Sequence, residues 1–375
     1  MAPRLTVAAT MIVRNEAAFL GGCLDSLASR VDDIVIVDTG STDGSVDIAR
    51  AAGVRLLHHP WTGRFCEARN VALAASRSDW VLYIDADERL RLPEGGRLAD
   101  YIEPRAIAGL VSFRPKTGYT RYREWRLFRN DPRLRFSGGI HETMKPAILA
   151  ISRAEGLPIV RTGVMIDHLG YDADQSGKHA RNLPLLETAI AKDPERSFRR
   201  HHLAEVLEGL GRRDEAIASA RQAITEAALT SEEQRASVSL LYQFVARTEL
   251  DRGGDPRATI CRGLTVLPEN YSLWFLLGWA MLNAGEPLAA LRIAEALLRI
   301  DPDRLAYEPL AFNRDIFGGK AAGLAAAASF RLGRAEEALA YARQAAVFAG
   351  ANGPAAARPA AVEGATVAYD AEVRV

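Results

Sequence analysis

Two spacings of apolar residues alternate along the first 90 positions. Residues 5–13, Asp33–Asp38, 54–58 and 80–84 are short runs rich in Val, Ile and Leu, and they read as strands. Between them, residues 17–29, 44–52 and 67–76 carry apolar side chains at helical spacing; the first of these places Phe19, Leu20, Cys23, Leu24 and Leu27 on one face. Strand–helix–strand alternation predicts an α/β fold with a mostly parallel sheet and helices on both faces. Ligands of such sheets bind beyond the carboxyl ends of the strands. From 107 to 170 the pattern changes to strands and turns with little helix, at 109–113, 124–128, 135–140 and 164–168. An antiparallel extension of the sheet is expected there.

After residue 178 the chain is helix-patterned and it repeats. Residues 202–217 and 325–339 each read as a helix, a Gly turn and a second helix opened by acids. Residues 274–291 are a third copy, turning at Ala284-Gly285-Glu286-Pro287, and a weaker one surrounds Gly253-Gly254-Asp255-Pro256. Helix-ending prolines stand at Pro194, Pro268 and Pro302, the last two 34 residues apart. These units resemble tetratricopeptide repeats, which bury their apolar stripes by stacking. The expected division is an α/β domain over 1–175, an all-α helical-repeat domain over 178–349 and a disordered tail over 350–375.

Composition narrows the function classes. A chain of 375 residues exceeds what one core usually supports. Formal net charge is zero with no basic block, so no nucleic-acid partner is expected. Cys23, Cys66 and Cys261 are scattered without metal spacing, which suits a reducing compartment. The N-terminal residues read as a strand and not as a signal peptide, and no apolar run reaches transmembrane length. A cytoplasmic location without a transmembrane segment is expected.

The candidate chemistry sits at strand ends. Residues 80–84 lead into Asp85-Ala86-Asp87-Glu88. If the extended backbone continues, Asp85 and Asp87 face the same side. Two hard oxygen ligands there suit Mg²⁺ or Mn²⁺ bound together with substrate phosphates; a polar strand end or a helix cap is the plainer reading. Asp38 opens the polar loop Asp38-Thr39-Gly40-Ser41-Thr42-Asp43-Gly44-Ser45, where a carboxylate can accept hydrogen bonds from a base or a ribose. The plainer reading there is again a cap, with Asp43 or Ser45 capping the next helix.

Four stretches then stand in order: Met11-Ile12-Val13-Arg14-Asn15-Glu16; Ile34 through Asp38-Thr39-Gly40-Ser41-Thr42-Asp43-Gly44-Ser45; Ala68-Arg69-Asn70-Val71-Ala72; and Ile84-Asp85-Ala86-Asp87-Glu88. Together they resemble the family 2 glycosyltransferases, whose GT-A fold is a nucleotide-sugar-binding, Rossmann-like mixed sheet. The resemblance covers residues 5 to about 170 and is strongest before 90. It implies a donor site in which Ile12, Arg14 and Glu16 lie beside the nucleoside and Asp38 holds the base, typically uracil. Arg69 would contact the base or the diphosphate. Asp85, with Ala86, would reach the ribose or the metal's water shell, and Asp87 would bind the metal. Where many members carry an aromatic residue for stacking on the base, this chain has Arg14, whose guanidinium plane is expected to take that place. A late histidine completes the metal shell in several such enzymes, which points to His168 and, as second choice, His141.

An inverting transfer needs a general base. Glu142 is the candidate, because Gly138-Gly139 lets backbone approach a ligand and an acid follows in Ile140-His141-Glu142; a scaffold pairing with Arg126 or Arg129 is the alternative. Asp87 joins it as a catalytic candidate through the metal. His58-His59 are neighbours that a strand would point apart, which argues against a metal pair. No Gly-x-Gly-x-x-Gly opens the first helix, and neither a Walker loop nor a Gly-x-Ser-x-Gly elbow occurs. The expected activity is therefore transfer of a sugar from a nucleotide diphosphate, with a UDP-sugar as donor and Mn²⁺ or Mg²⁺ as cofactor. The acceptor is a saccharide, a lipid-linked sugar or a peptide. The helical repeats suggest a protein partner or a dimer. The competing readings are a helical interaction scaffold with a vestigial transferase domain, and a nucleotidyltransferase. Intact Asp38, Arg69, Asp85 and Asp87 oppose the first, and the lack of a Gly-rich basic loop after the first strand opposes the second.

Overall fold

A computed structural model describes residues 4–138, 142–170, 176–192, 197–305 and 310–352. The chain forms two compact units. One comprises Met1–Thr117 and Tyr122–Ala189; the other comprises Gly118–Arg121 and Ile190–Val375.

The first unit is built on an eight-stranded mixed sheet of order β3-β2-β1-β4-β7-β6-β8-β5. Its strands are β1 (Val7–Val13), β2 (Asp33–Asp38), β3 (Arg55–His58), β4 (Trp80–Tyr83), β5 (Glu88–Arg91), β6 (Ala108–Arg114), β7 (Tyr122–Arg129) and β8 (Ile159–His168). The half from β3 to β4 is parallel. Helices α1 (Ala17–Leu27), α2 (Ser45–Ala51) and α3 (Phe65–Ala75) are its crossovers. β1 is covered on both faces, which is why it reads as a continuous apolar run. Met11 and Val13 join Leu20, Leu24 and Leu27 of α1 in one core cluster. Val35 and Val37 of β2 meet Ala68 and Ala72 of α3 in another.

The other half differs from the sequence expectation in four ways, the first being that β6 runs parallel to β8 where an antiparallel extension was expected. β7 pairs antiparallel with both β4 and β6 as expected, but the described residues 135–138 form no strand of the sheet. Among the described residues there, only Ser137 pairs, with Thr143, and the positive φ of Gly138 (106°) breaks the ladder. Residues 139–141, including His141, lie outside the described residues. A helix absent from the expectation, α4 (Lys145–Glu155), follows; Pro146 opens it, Ile148 and Ile151 bury its inner face, and Gly156 ends it in the left-handed region. β5 was also not foreseen. Its sequence, Glu-Arg-Leu-Arg, reads as polar, yet it pairs along β8.

Helix α5 (Ser176–Lys192) precedes the helices of the second unit: α6 (Ser197–Gly209), α7 (Arg213–Glu226), α8 (Glu232–Asp251), α9 (Arg257–Val266), α10 (Tyr271–Asn283), α11 (Pro287–Leu298), α12 (Gly319–Arg331) and α13 (Ala335–Asn352). Four successive pairs each turn on a glycine in the left-handed region, namely Gly211, Gly253, Gly285 and Gly333. These are the Gly turns the repeat pattern places. Within this unit Thr120 donates its backbone N–H to the Phe312 carbonyl, and its hydroxyl accepts from the Phe312 N–H, both at 2.8 Å. Pro194 and residues 353–375 lie outside the described residues. Among the described residues no helix is long and apolar enough to cross a membrane. All three cysteines are free thiols.

Candidate active site

The site residues gather at the carboxyl ends of the parallel strands of the first unit. β1 ends in Arg14-Asn15-Glu16. Asn15 takes a left-handed φ of 58°, which asparagine tolerates better than most residues. Its side-chain oxygen accepts from the Thr42 N–H (2.7 Å), and its N–H donates to Ser41 Oγ (3.0 Å). The β1 end and the polar loop after β2 are thereby tied together. Arg14 is exposed at this edge, whereas the side chain of Ile12 is partly buried against the cluster around Val35 and Val37. Arg181 of α5 stands over the Phe65 ring at 5.8 Å. Burial and the charge of Arg14 lower its proton affinity, while Glu16 opposes them.

Asp38 closes β2. Its carboxylate accepts the N–H groups of Gly40 and Ser41, both at 3.1 Å, and His58 Nδ1 lies 3.4 Å away from the adjacent end of β3. Burial pushes this carboxyl up, but the hydrogen bonds from Ser41 and Gly40 more than offset that, so it stays ionised below the usual range.

At the end of β4 the chain turns instead of continuing extended. Glu88 N–H donates to the Asp85 carbonyl (3.0 Å), and Asp85 N–H donates back to the Glu88 carboxylate (2.8 Å). The expectation that Asp85 and Asp87 share one side fails at this turn, and each acid takes different partners. Arg69 of α3 donates from Nη2 to both Asp85 oxygens, at 3.0 and 3.3 Å, and from Nε to Glu142. One guanidinium thus joins the β4 acid to the acid of the 138–142 loop. Its partner is Arg69, and neither of the arginines proposed from sequence. Arg69 is almost fully buried and stacks on Tyr83 and Phe136, at 4.9 and 5.6 Å from the ring centroids.

Arg126 of β7 lies on the same Tyr83 ring at 4.4 Å. It pairs with Glu88 at 3.1 Å and approaches Asp85 to 3.9 Å. Burial pushes the Asp85 carboxyl up, but the charges of Arg69 and Arg126 outweigh it and hold Asp85 below its ordinary value. Glu88 is dominated by burial and, despite Arg126, rises to about 7. Burial works against the charge of Arg69, yet the carboxylates of Asp85 and Glu142 more than compensate and keep it firmly protonated.

Asp87 pairs with His168, its carboxylate 3.2 Å from Nε2. The other ring nitrogen, Nδ1, lies 2.9 Å from the Pro115 carbonyl, and the backbone pairs Leu169 N–H with Asp87 O at 2.9 Å. Burial lowers the His168 proton affinity, but Asp87 raises it further, for a net upward shift. The next residue must be glycine, because a Cβ at Gly170 would lie inside the Asp87 carboxylate. A carboxylate oxygen and an imidazole nitrogen side by side, with the second ring nitrogen anchored on backbone, are a donor set that fits a divalent cation. Among the described residues no group of three His, Cys, Asp or Glu side chains gathers for a metal. A cation here would have two protein ligands and fill its shell from phosphate oxygens and water, as Mg²⁺ and Mn²⁺ readily do. Ala86 is buried, its methyl in the core cluster, and its carbonyl accepts from Arg89.

Sequence reasoning named Arg126 only as a possible scaffold partner of Glu142, whereas it pairs with Glu88 and approaches Asp85, and it missed Glu88, His58, Gly170 and Asn70 as members of this constellation. Asn70 follows Arg69 on α3, and its side chain imitates a strand: Nδ2 donates to the Phe136 carbonyl and Oδ1 accepts the Phe136 N–H, both at 2.9 Å. The pairing of Ser137 with Thr143 then closes the loop that carries Glu142. The Ala-Arg-Asn stretch itself was the available signal, since two polar residues interrupt an otherwise apolar helix face.

The model of the glycosyl transferase family 2 matches residues 9–157. A TPR repeat-containing protein of Synechococcus elongatus is 39% identical over 207 residues, covering 51% of this chain and 50% of that protein. The SPbeta prophage-derived glycosyltransferase SunS of Bacillus subtilis is 27% identical over 201 residues, covering 51% and 46%. The chain spans about half the length of these curated relatives. Among solved structures, glucosyl-3-phosphoglycerate synthase from Mycobacterium tuberculosis in complex with Mn²⁺, UDP and glucosyl-3-phosphoglycerate is 16% identical with a TM-score of 0.34, covering 50% of this chain and 79% of that one. The strand-end geometry stands within the segment that the family model matches: residues 9–157 of this chain form a glycosyltransferase family 2 domain, and paired helices follow it in the chain.

Proposed function

We propose that this chain transfers a sugar from a UDP-sugar to an acceptor hydroxyl, with inversion at the anomeric carbon and with Mn²⁺ or Mg²⁺ bound. The observation that carries the reading is the convergence of Asp85 and Glu142 on Arg69, with Arg126 also approaching Asp85 and with Asp87, two residues on, paired to His168. The Asp38 loop, lined by neutral donors, would receive the base, with Arg14 and Glu16 at its rim. Asp85 would meet the ribose side of the donor. Asp87 and His168 would hold the cation, which supplies positive charge to the diphosphate.

The chain's own groups account for the remaining chemistry. Glu142 takes the proton of the acceptor hydroxyl. The freed oxygen pair forms the bond to the anomeric carbon as the bond from that carbon to the β-phosphate oxygen breaks, and the departing electron pair leaves on UDP. Arg69 faces that growing negative charge from a fixed, desolvated position, where a guanidinium stabilises it better than water does. The paired helices supply a surface for a protein partner or a second copy.

The test is calorimetric titration with UDP, GDP and dTDP, with and without Mn²⁺. Binding of UDP that depends on Mn²⁺ is the expected result. No metal-dependent binding of any nucleoside diphosphate would overturn the reading.

A further inference from the structure

We infer that Arg69 is shared between the base and the leaving group, so that the donor's diphosphate competes with Glu142 for the guanidinium and unlocks it. The inference rests on the reading that this site takes a nucleoside diphosphate.

A guanidinium carries five N–H donors in a rigid fork. Here Nε is given to Glu142 and Nη2 to Asp85, while Nη1 is buried with no hydrogen-bond partner. A buried donor without an acceptor is costly, by about 1–3 kcal/mol in general. Arg69 is thus a cation with one donor nitrogen, and its two N–H groups, still to place, at the position where the diphosphate is expected. It cannot move far. Two aromatic rings hold its plane, and the Asn70–Phe136 pair fixes α3 against the Glu142 loop.

Glu142 is the more adaptable partner. It lies four residues beyond Gly138, whose φ is in the left-handed region, and next to the Ser137–Thr143 pairing. Its side chain is nine-tenths buried against Arg69. A carboxylate oxygen engaged by Arg69 cannot use the same lone pair for a substrate proton. An oxyanion arriving on Nη1 draws the positive charge toward itself and weakens the hold on Glu142. Arg69 therefore acts on Glu142 as a positioning residue: it restrains the base while the donor subsite is empty and yields it once the diphosphate binds.

Competition makes a prediction that a scaffold ion pair does not. UDP affinity with Mn²⁺ is measured by calorimetry for the unaltered protein, Glu142→Gln, Arg69→Lys and the double variant. Glu142→Gln is expected to tighten UDP binding by about 5-fold, because it removes the competitor. In the Arg69→Lys background, where the fork geometry is gone, the same change should move affinity less than about 2-fold. If Glu142→Gln weakens UDP binding or leaves it unchanged, the inference is wrong. Equal tightening in both backgrounds also overturns it, since that is simple relief of charge repulsion. Should Arg69→Lys fail to fold by circular dichroism, the Glu142→Gln titration still decides, and absence of tightening rejects the sharing. Failure of the unaltered protein to bind UDP with Mn²⁺ would remove the underlying assignment and this inference with it.

Discussion

Asp38 and Asp85 end two strands that flank the same central strand β1, and each is held below the usual carboxylate range by different means. Asp38 is stabilised by neutral dipoles from its own loop, the N–H groups of Gly40 and Ser41. Asp85 is stabilised by whole charges brought from elsewhere: Arg69 on α3 and Arg126 on β7. The contrast suggests a division of labour. A carboxylate among neutral donors retains its charge toward the opening and suits the N–H and O–H groups of a base or ribose. A carboxylate between two guanidiniums sits in surroundings that can accept further anionic oxygens.

The largest expected effect separates the two ends through the cation. Asp87→Ala should weaken Mn²⁺-dependent UDP binding by about 100-fold or more, since loss of even an indirect metal contact costs 10–100-fold. Gly170→Ala should do nearly as much by displacing the Asp87 carboxylate without removing it. Uridine alone, which has no phosphate, should bind both variants as it binds the unaltered protein. Titrations with UDP and uridine check this; full UDP affinity in Asp87→Ala would move the cation away from this pair.

The second effect concerns stability. Asn70→Ala leaves the Phe136 N–H and carbonyl without the partners Asn70 provides. A loss of roughly 1–3 kcal/mol is expected in urea unfolding, the usual size for stranded buried polar groups. Transfer activity should fall as well, because the Glu142 loop loses its anchor on α3. If stability is unchanged, the loop is held by other means and Asn70 is not its clamp.

The same contrast explains what could be read from sequence. The backbone donors to Asp38 lie within three residues of it, so the polar loop after an apolar run announced itself. The partners of Asp85 do not. Arg69 lies 16 positions away from Asp85 and 73 from Glu142, and only the packing of α3 against the β7 side reveals the bridge. The strands β1, β2 and β4 were legible because burial on both faces makes them continuously apolar. β5 was not, because the charge partner of its buried Glu88 is Arg126, 38 residues away. Residues 135–140 misled in the opposite sense: Phe136 and Ile140 imitate a strand pattern, but Phe136 pairs with a side chain and Gly138 turns the backbone. In the helical unit the period and the Gly turns were legible because each pair turns on a left-handed glycine whose neighbours repeat.

The smallest effect tests the comparison most directly. Both carboxyls have folded-state proton affinities below their unfolded value near 3.8. Each therefore contributes stability that is present above that pH and is lost as pH falls through the lower folded value. Asp38→Asn and Asp85→Asn should each flatten the acid limb of a urea-unfolding series between pH 5 and 2, with a loss of about 1 kcal/mol at pH 7. Salt should tell them apart. The Asp85 side chain is about one-third exposed, at 34%, so its attraction to the guanidiniums is partly screened by ions. The hydrogen bonds to Asp38 are short-range dipolar contacts that salt barely reaches. Raising NaCl to about 1 M, where the screening length is ~3 Å, should shrink the Asp85→Asn deficit and leave the Asp38→Asn deficit nearly intact. Equal salt responses would mean that the two strand ends are stabilised by the same physics, and the proposed division between a nucleoside end and an anion-handling end would lose its electrostatic basis.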